Sequence, residues 1–326
     1  MDALSQVLRS LRLRGSFYAL WELRAPWGLA FRSVRHAPFH YMASGSMWMV
    51  TDAGLKVHLE EGDVLVLFDG AAHQIGDRAA GRAEPIEDVM ARGPDGWTHR
   101  YGGRGDPARL VCGKFALDDR ESGPVSLAQL PPVVHLRRAA GGFAQILELL
   151  VEELRTAQPG AERAAALLTE TLLIHVLREV VALSGTGAGW MQGLRDPQIA
   201  AALAAIHGEP EAAWTLAALA RIAGLSRSVF AERFHARVGA SPMSYLARWR
   251  LQLAARWLRE TALSVAEVLQ RLGYTSGATF HRAFKREYGR SPSAYRDAHR
   301  GAHAASATPS ADASRDWQPA RRQRRG

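Results

Sequence analysis

One stretch of this 326-residue chain is written twice, and that duplication constrains its C-terminal third more than any other feature. Phe230-x3-Phe234-x4-Gly239-x-Ser241-Pro242-x2-Tyr245 returns as Phe280-x3-Phe284-x4-Gly289-x-Ser291-Pro292-x2-Tyr295, each residue displaced by 50. Upstream, Gly224 of Ala-Gly-Leu-Ser pairs with Gly273 of Leu-Gly-Tyr-Thr at a displacement of 49. The slip falls in a turn, where an insertion costs least. A pair of this kind implies two copies of one small unit.

Each copy reads as helix, tight turn, helix. In the first, Leu216, Leu219, Ala220 and Ile222-Ala223 form an apolar stripe. Gly224 supplies the left-handed residue that stops that helix, and Ser226 caps the next. The spacing then predicts that Val229, Phe230 and Phe234 share a buried face. In the second copy Ser264 caps a helix carrying Val265, Val268, Leu269 and Leu272, Gly273 ends it, and Thr275 or Ser276 caps the next. Its buried residues are Phe280 and Phe284. Two helices on a Gly-containing turn, the second with a polar face, form the unit that lays a helix in the DNA major groove.

Charge follows the repeat. Residues 213–300 hold 15 Lys+Arg against 5 Asp+Glu, a net of +10, whereas residues 1–212 hold 21 against 25, a net of −4. Residues 301–326 add 5 against 2, a net of +3. Positive charge concentrated where the repeat lies suits a polyanionic partner.

These blocks resemble the AraC/XylS family of bacterial transcription regulators. The resemblance is carried by residues 220–234, by 272–286 and by Gly-Arg-Ser-Pro-Ser-Ala-Tyr-Arg at 289–296. It implies that a rigid helix, here Pro242 to about Glu260, joins the two units and that both enter successive major grooves on one DNA face.

Removing the buried face from each second helix leaves the groove-facing positions. In the first unit these are Ser228, Ala231, Glu232 and His235, flanked by Arg227 and Arg233. In the second they are Ala278, Thr279, His281, Arg282 and Lys285, with Ser276 at the helix start and Arg286 flanking. Arg282 suits a bidentate guanine contact, and Glu232 suits a cytosine amino group or a pairing with Arg227 or His235. Arg227, Lys285 and Arg286 suit phosphates, which position without specifying.

The N-terminal part is different. Short β-prone runs (17–21, 40–42, 47–50, 57–59 and 64–68) separated by Gly, Pro and Asp predict a sandwich or barrel between about Gly15 and Leu117. Gly62-x5-Phe68-x-Gly70-x2-His73-x3-Asp77 resembles a cupin motif, with Phe68 where Pro is usual and Asp77 where Asn is usual. Ala25-Pro26-Trp27-Gly28 and Val111-Cys112-Gly113-Lys114-Phe115 are similar to the cupin-type sensor found ahead of some AraC-family DNA-binding domains. Cupin enzymes use three or four His or carboxylate ligands. This chain offers His73 and His40, so no metal, cofactor or catalytic residue is expected. A metal-dependent cupin enzyme fused to a DNA-targeting domain is the alternative, as is an effector-free regulator whose barrel only oligomerises. Trp27, Phe39, His40, Met42, Trp48 and His73 are candidates for an effector pocket or for ordinary barrel core.

The fold class expected is α+β multidomain: a cupin-like β-barrel at 1–120, a helical connector and linker at 121–189, a double helix-turn-helix domain at 190–300 and a disordered basic tail at 301–326. Leu4, Val7, Leu8 and Leu11 mark a short N-terminal amphipathic helix. The connector holds two amphipathic helices, opening at Gly142-Phe143 and Ala164, that pack within the chain or form a homodimer. Ser184 to Gly189 reads as a linker, and Arg195-Asp196-Pro197 starts a further helix. The single cysteine, Cys112, excludes an internal disulfide and fits a reducing cytoplasm, where it is read as structural. No run is apolar enough for a signal peptide or a membrane span. The expected partners are double-stranded DNA, a small-molecule effector, a second copy of the chain and, for an activator, RNA polymerase.

Overall fold

The computed structural model describes residues 2–10, 13–34, 36–93, 96–117, 130–138, 141–183, 189–274 and 276–307. The chain divides into two compact units.

The sheet unit begins with β1 (Leu13–Arg24), β2 (Gly28–Phe31), β3 (Ala37–Ser44), β4 (Ser46–Thr51), β5 (Lys56–Glu60), β6 (Val64–Leu67), β7 (His73–Gly76) and β8 (Glu84–Pro85). Helix α2 (Ile86–Arg92), with α1 reserved for the N-terminal helix Ala3–Ser10, precedes β9 (Thr98–Gly102), β10 (Pro107–Leu117) and β11 (Val133–Leu136). Helices α3 (Gly142–Thr156) and α4 (Ala161–Leu183) follow. A six-stranded sheet in the order β11-β6-β3-β10-β1-β9 packs on a five-stranded sheet in the order β5-β4-β7-β2-β8. The expected barrel is therefore two sheets rather than one closed ladder.

Alternation builds the core between them: Trp21 and Leu23, Met47 and Met49, Leu65 and Leu67, Leu110 and Cys112 point inward at every second position. Each such fully buried Leu or Met stabilises the unit by roughly 1.5–3 kcal/mol over an exposed one. The first six residues of β3 are buried on both faces, because α3 packs against β3 on the side away from the second sheet. Phe39 stacks on Phe115 there, with ring centroids 4.8 Å apart.

The helical unit comprises α1, α5 (Trp190–Leu194), α6 (Pro197–Gly208), α7 (Leu216–Ile222), α8 (Arg227–Val238), α9 (Pro242–Glu260), α10 (Val265–Arg271), α11 (Gly277–Tyr288) and α12 (Pro292–Ala307). Helix α1 falls within 1–120 by sequence, yet it packs on α6, with Gln6 beside Gly208. Helix α12 continues to Ala307, past the boundary expected at residue 300; the rest of the basic tail, 308–326, lies outside the described residues, as do 184–188 of the linker.

The caps follow the sequence closely. Asp196 accepts from the backbone N–H groups of Gln198 and Ile199 at the start of α6. Ser226 caps α8, Ser241 caps α9, and Ser264 with Glu267 forms a reciprocal capping box on α10. Ser276 caps α11, while Thr275 lies outside the described residues.

Candidate nucleic-acid interface

The two repeats fold as α7–turn–α8 and α10–turn–α11. In each, a glycine with positive φ makes the turn: Gly224 at +64° and Gly273 at +68°. Phe230, Phe234 and Val238 bury one stripe of α8, and Phe280 and Phe284 bury the corresponding stripe of α11. Val229 corrects the expectation of a third buried residue on α8, being 47% exposed. Residues 230, 234 and 238 recur every four positions, whereas 229 lies about 100° round the helix from them.

What remains outside is the expected face. Arg227, Ser228, Glu232 and His235 are exposed on α8, and Ala231 is partly buried. On α11, Ser276, Ala278, Thr279, His281, Arg282, Lys285 and Arg286 are exposed. Among the described residues no ion pair engages Arg227, Glu232, Arg282, Lys285 or Arg286, so Glu232 is paired with neither Arg227 nor His235. Two hydroxyls are already committed: Ser276 accepts from the Thr279 backbone N–H and hydroxyl, and Ser228 lies 3.3 Å from the Ser226 oxygen.

Several other arginines of this unit have structural partners. Arg233 donates to the buried Asp196 carboxylate at 2.6 Å, tying α8 to the cap of α6, and so is held rather than free to flank a groove. Burial pushes the Asp196 carboxyl up, but the Arg233 guanidinium and the cap N–H groups outweigh it and hold it below its ordinary value. Arg248 pairs with Glu287 at 3.3 Å, joining α9 to α11.

Arg250, on α9, joins the two repeats. Its Nε donates to the Pro210 carbonyl at 2.6 Å and its Nη2 to the Ala212 carbonyl at 2.7 Å, and the guanidinium sits 5.9 Å from the centroid of Tyr274 in the second turn. Gly273 packs so closely on Glu211 that a Cβ there would overlap the Glu211 carbonyl oxygen. The segment leading into the first repeat thus touches the turn of the second. Neither contact has a local signal in the sequence, since its partners lie more than twenty residues away.

The six effector-pocket candidates do not line one space. Trp27, His40, Met42 and His73 lie at the core between the sheets. Phe39 faces the helix side with Phe115, and Trp48, between inward-facing Met47 and Met49, packs on His58 at 4.8 Å. Asp77, at the end of the cupin-like motif, accepts from the Trp27 backbone N–H at 2.8 Å.

Inside the sheet unit His73, His40 and Cys112 form a chain whose proton positions follow from one fixed acceptor. The Ala71 carbonyl can only accept, so His73 Nδ1–H donates to it at 2.8 Å. In a neutral ring His73 Nε2 then accepts from His40 Nε2–H at 2.9 Å, and His40 Nδ1 accepts the Cys112 thiol at 3.2 Å. Burial lowers both imidazole pKa values, keeping the rings neutral, and raises that of the thiol. These residues do not fit the metal of a cupin enzyme, which needs three or four ligands: only two imidazole nitrogens converge here, and Cys112 lies on the other side of the His40 ring. Among the described residues no group of three or more His, Cys, Asp or Glu side chains is arranged to hold a metal ion.

A sheet unit of this topology joined to two helix-turn-helix repeats on one stiff helix defines a DNA-binding regulator with a cupin domain. A family model described as Cupin matches residues 2–182, and one described as Helix-turn-helix domain matches residues 219–298. A putative AraC-like transcription regulator of Streptomyces lividans is 33% identical over 87% of this chain and 94% of its own length. Another of that description, from Streptomyces antibioticus, is 34% identical over 87% of this chain and 95% of its own. The HTH-type transcriptional regulator AlkR of Acinetobacter baylyi is 27% identical over 87% and 95%. The chain belongs to the AraC family of DNA-binding transcription regulators and carries an N-terminal cupin domain.

Proposed function

We propose that α8 and α11 enter successive major grooves on one side of a duplex, and that the sheet unit places this binding under the control of a small-molecule effector. The observation that carries the DNA reading is the exposed, ion-pair-free set Arg227, Arg282, Lys285 and Arg286 on two helices held by one 19-residue helix. Such a helix is about 28 Å long, near the roughly 34 Å between equivalent grooves. Arg282 reads a guanine; Arg227, Lys285 and Arg286 hold phosphates; Ser228, Ala231, Glu232, His235, Ser276, Ala278, Thr279 and His281 complete the two surfaces. In this reading the chain acts in the cytoplasm without catalysing a reaction, and recruits RNA polymerase where it activates.

A homodimer fits a separate observation: Leu149 on α3 is 56% exposed and Leu167 on α4 is 46% exposed. Selection of bound fragments from random DNA tests the main reading. Enrichment of a two-part motif with its halves one helical turn apart is expected, and failure to enrich any sequence overturns it.

A further inference from the structure

The outer face of the six-stranded sheet carries a charged row at one end. The strand register sets Glu22 opposite Arg109 on β10 and opposite Arg100 on β9, and sets Arg109 opposite Ser44 on β3. Trp21, Leu23, Ala108 and Leu110 turn into the core, so alternation turns Glu22, Arg24 and Arg109 outward. Over this row lies an open cleft of about 700 Å³ whose lining includes Glu22, Arg24, Ser44, Arg100, Tyr101 and Arg109. That volume lies in the range of small-molecule sites.

The electrostatics of the cleft are unbalanced. Glu22 is taken by Arg100, at 2.8 Å. Arg24 gives one nitrogen to the Gly105 carbonyl at 3.2 Å, and Arg109 gives its Nε to the Ser44 hydroxyl at 3.3 Å. Among the described residues neither has a carboxylate partner, and a guanidinium has five N–H donors, so most of theirs are unspent. Three arginines against one glutamate is also the reverse of the surrounding sequence, since residues 1–212 carry a net charge of −4. One wall is closely built: a Cβ on Gly103 would lie 2.7 Å from the Ala25 carbonyl oxygen, and one on Gly105 would lie 2.8 Å from it. The loop bearing the acceptor of Arg24 therefore presses on the residue after Arg24.

We propose that this cleft binds a small organic oxyanion, its carboxylate or phosphate head held by Arg24 and Arg109, and that it is the effector site of the sheet unit. Planar forked donors suit either head group. The effector role rests on the reading of the chain as a ligand-controlled regulator; the anion site does not.

The full chain is titrated by calorimetry with phenyl phosphate, phenylacetate and, as an uncharged control, 2-phenylethanol. At least one anion binds saturably, the two arms showing which head group is preferred, and the alcohol does not bind. Arg109→Gln weakens binding by about tenfold or more, as loss of a charge-assisted hydrogen bond implies, and Arg24→Gln with Arg109→Gln abolishes it. Arg109→Lys, which keeps the charge and the fold, falls between. The proposal is overturned if neither anion binds, if the alcohol binds equally, or if the double variant binds like the parent. The same samples are tested on a DNA fragment selected by the parent chain. The bound anion shifts DNA affinity in the parent and not in the double variant; a shift surviving in the variant overturns the effector role. Absence of DNA binding in every sample counts against the regulator reading alone and leaves the calorimetric result standing.

Discussion

Replacing Gly273 by alanine isolates the contact that sets the two repeats against each other, and Gly224→Ala is its internal control. Both glycines sit at nearly the same positive φ, +68° and +64°, so both variants carry the same backbone strain, about 1–2 kcal/mol for an L-residue in the left-handed region. Their surroundings differ. At Gly224 the nearest atom to the new methyl is Gln198 Nε2 at 4.0 Å, an ordinary van der Waals contact with no overlap. At Gly273 the methyl overlaps the Glu211 carbonyl oxygen and lies 3.1 Å from its carbon and 3.3 Å from its Cα. Backbone has to move, and overpacking of that kind costs typically about 1–3 kcal/mol more. Gly273→Ala should therefore lose roughly 2–5 kcal/mol, against roughly 1–2 for Gly224→Ala. The segment displaced also holds the carbonyls that Arg250 binds, so Gly273→Ala should weaken binding to a two-half-site duplex more than to a single half-site. Urea unfolding gives the first comparison and fluorescence anisotropy on the two duplexes the second. Equal destabilisation by the two substitutions would refute the contact.

Arg282→Ala should weaken specific DNA binding by roughly 1–3 kcal/mol and relax the preference at one base pair; equal losses on specific and random DNA would remove it from base reading. Asp196→Ala should cost about 1–2 kcal/mol at pH 7, through loss of the α6 cap and of the partner of half-exposed Arg233. Because the folded carboxyl has a lowered pKa, that contribution is complete above the ordinary aspartate value near 4 and fades as pH falls through the folded value, so the parent and the variant should converge in acid. A gap in urea midpoint that persists unchanged to pH 2 would contradict the ion pair. Cys112, buried and donating its thiol hydrogen to His40, should react with iodoacetamide only as fast as the sheet unit opens. Rapid labelling of the native chain would show that this interior chain is not formed.

The features legible in the sequence were the local ones. Ser226, Ser264 and Gly224 each act on neighbours a few residues away, as Gly273 does in ending its helix though not in its contact with Glu211. The joining helix that the family resemblance implies is α9, Pro242–Glu260, capped by Ser241. The exposed faces of α8 and α11 followed from the four-residue spacing of the phenylalanines, although that same spacing excludes Val229 from the buried stripe. Pairing in the sheet unit was less accessible. β2, β7 and β9 are each only four or five residues long, and their partners are set by a register that no local pattern encodes. The interior of that unit also differs from the pocket its residue types suggest, because alternation sends Phe39 and Trp48 away from Met42. Arg250 reads as one more basic residue of the positively charged C-terminal region until its acceptors outside its own helix are seen.

Hydroxyl-radical cleavage of a selected DNA site bearing the full chain measures the spacing and phase of the two recognition helices together. Two protected windows about ten base pairs apart, both on one side of the duplex, are the expected pattern. A single window shorter than one helical turn, or two windows on opposite sides, would contradict the joining of both reading helices to one stiff element.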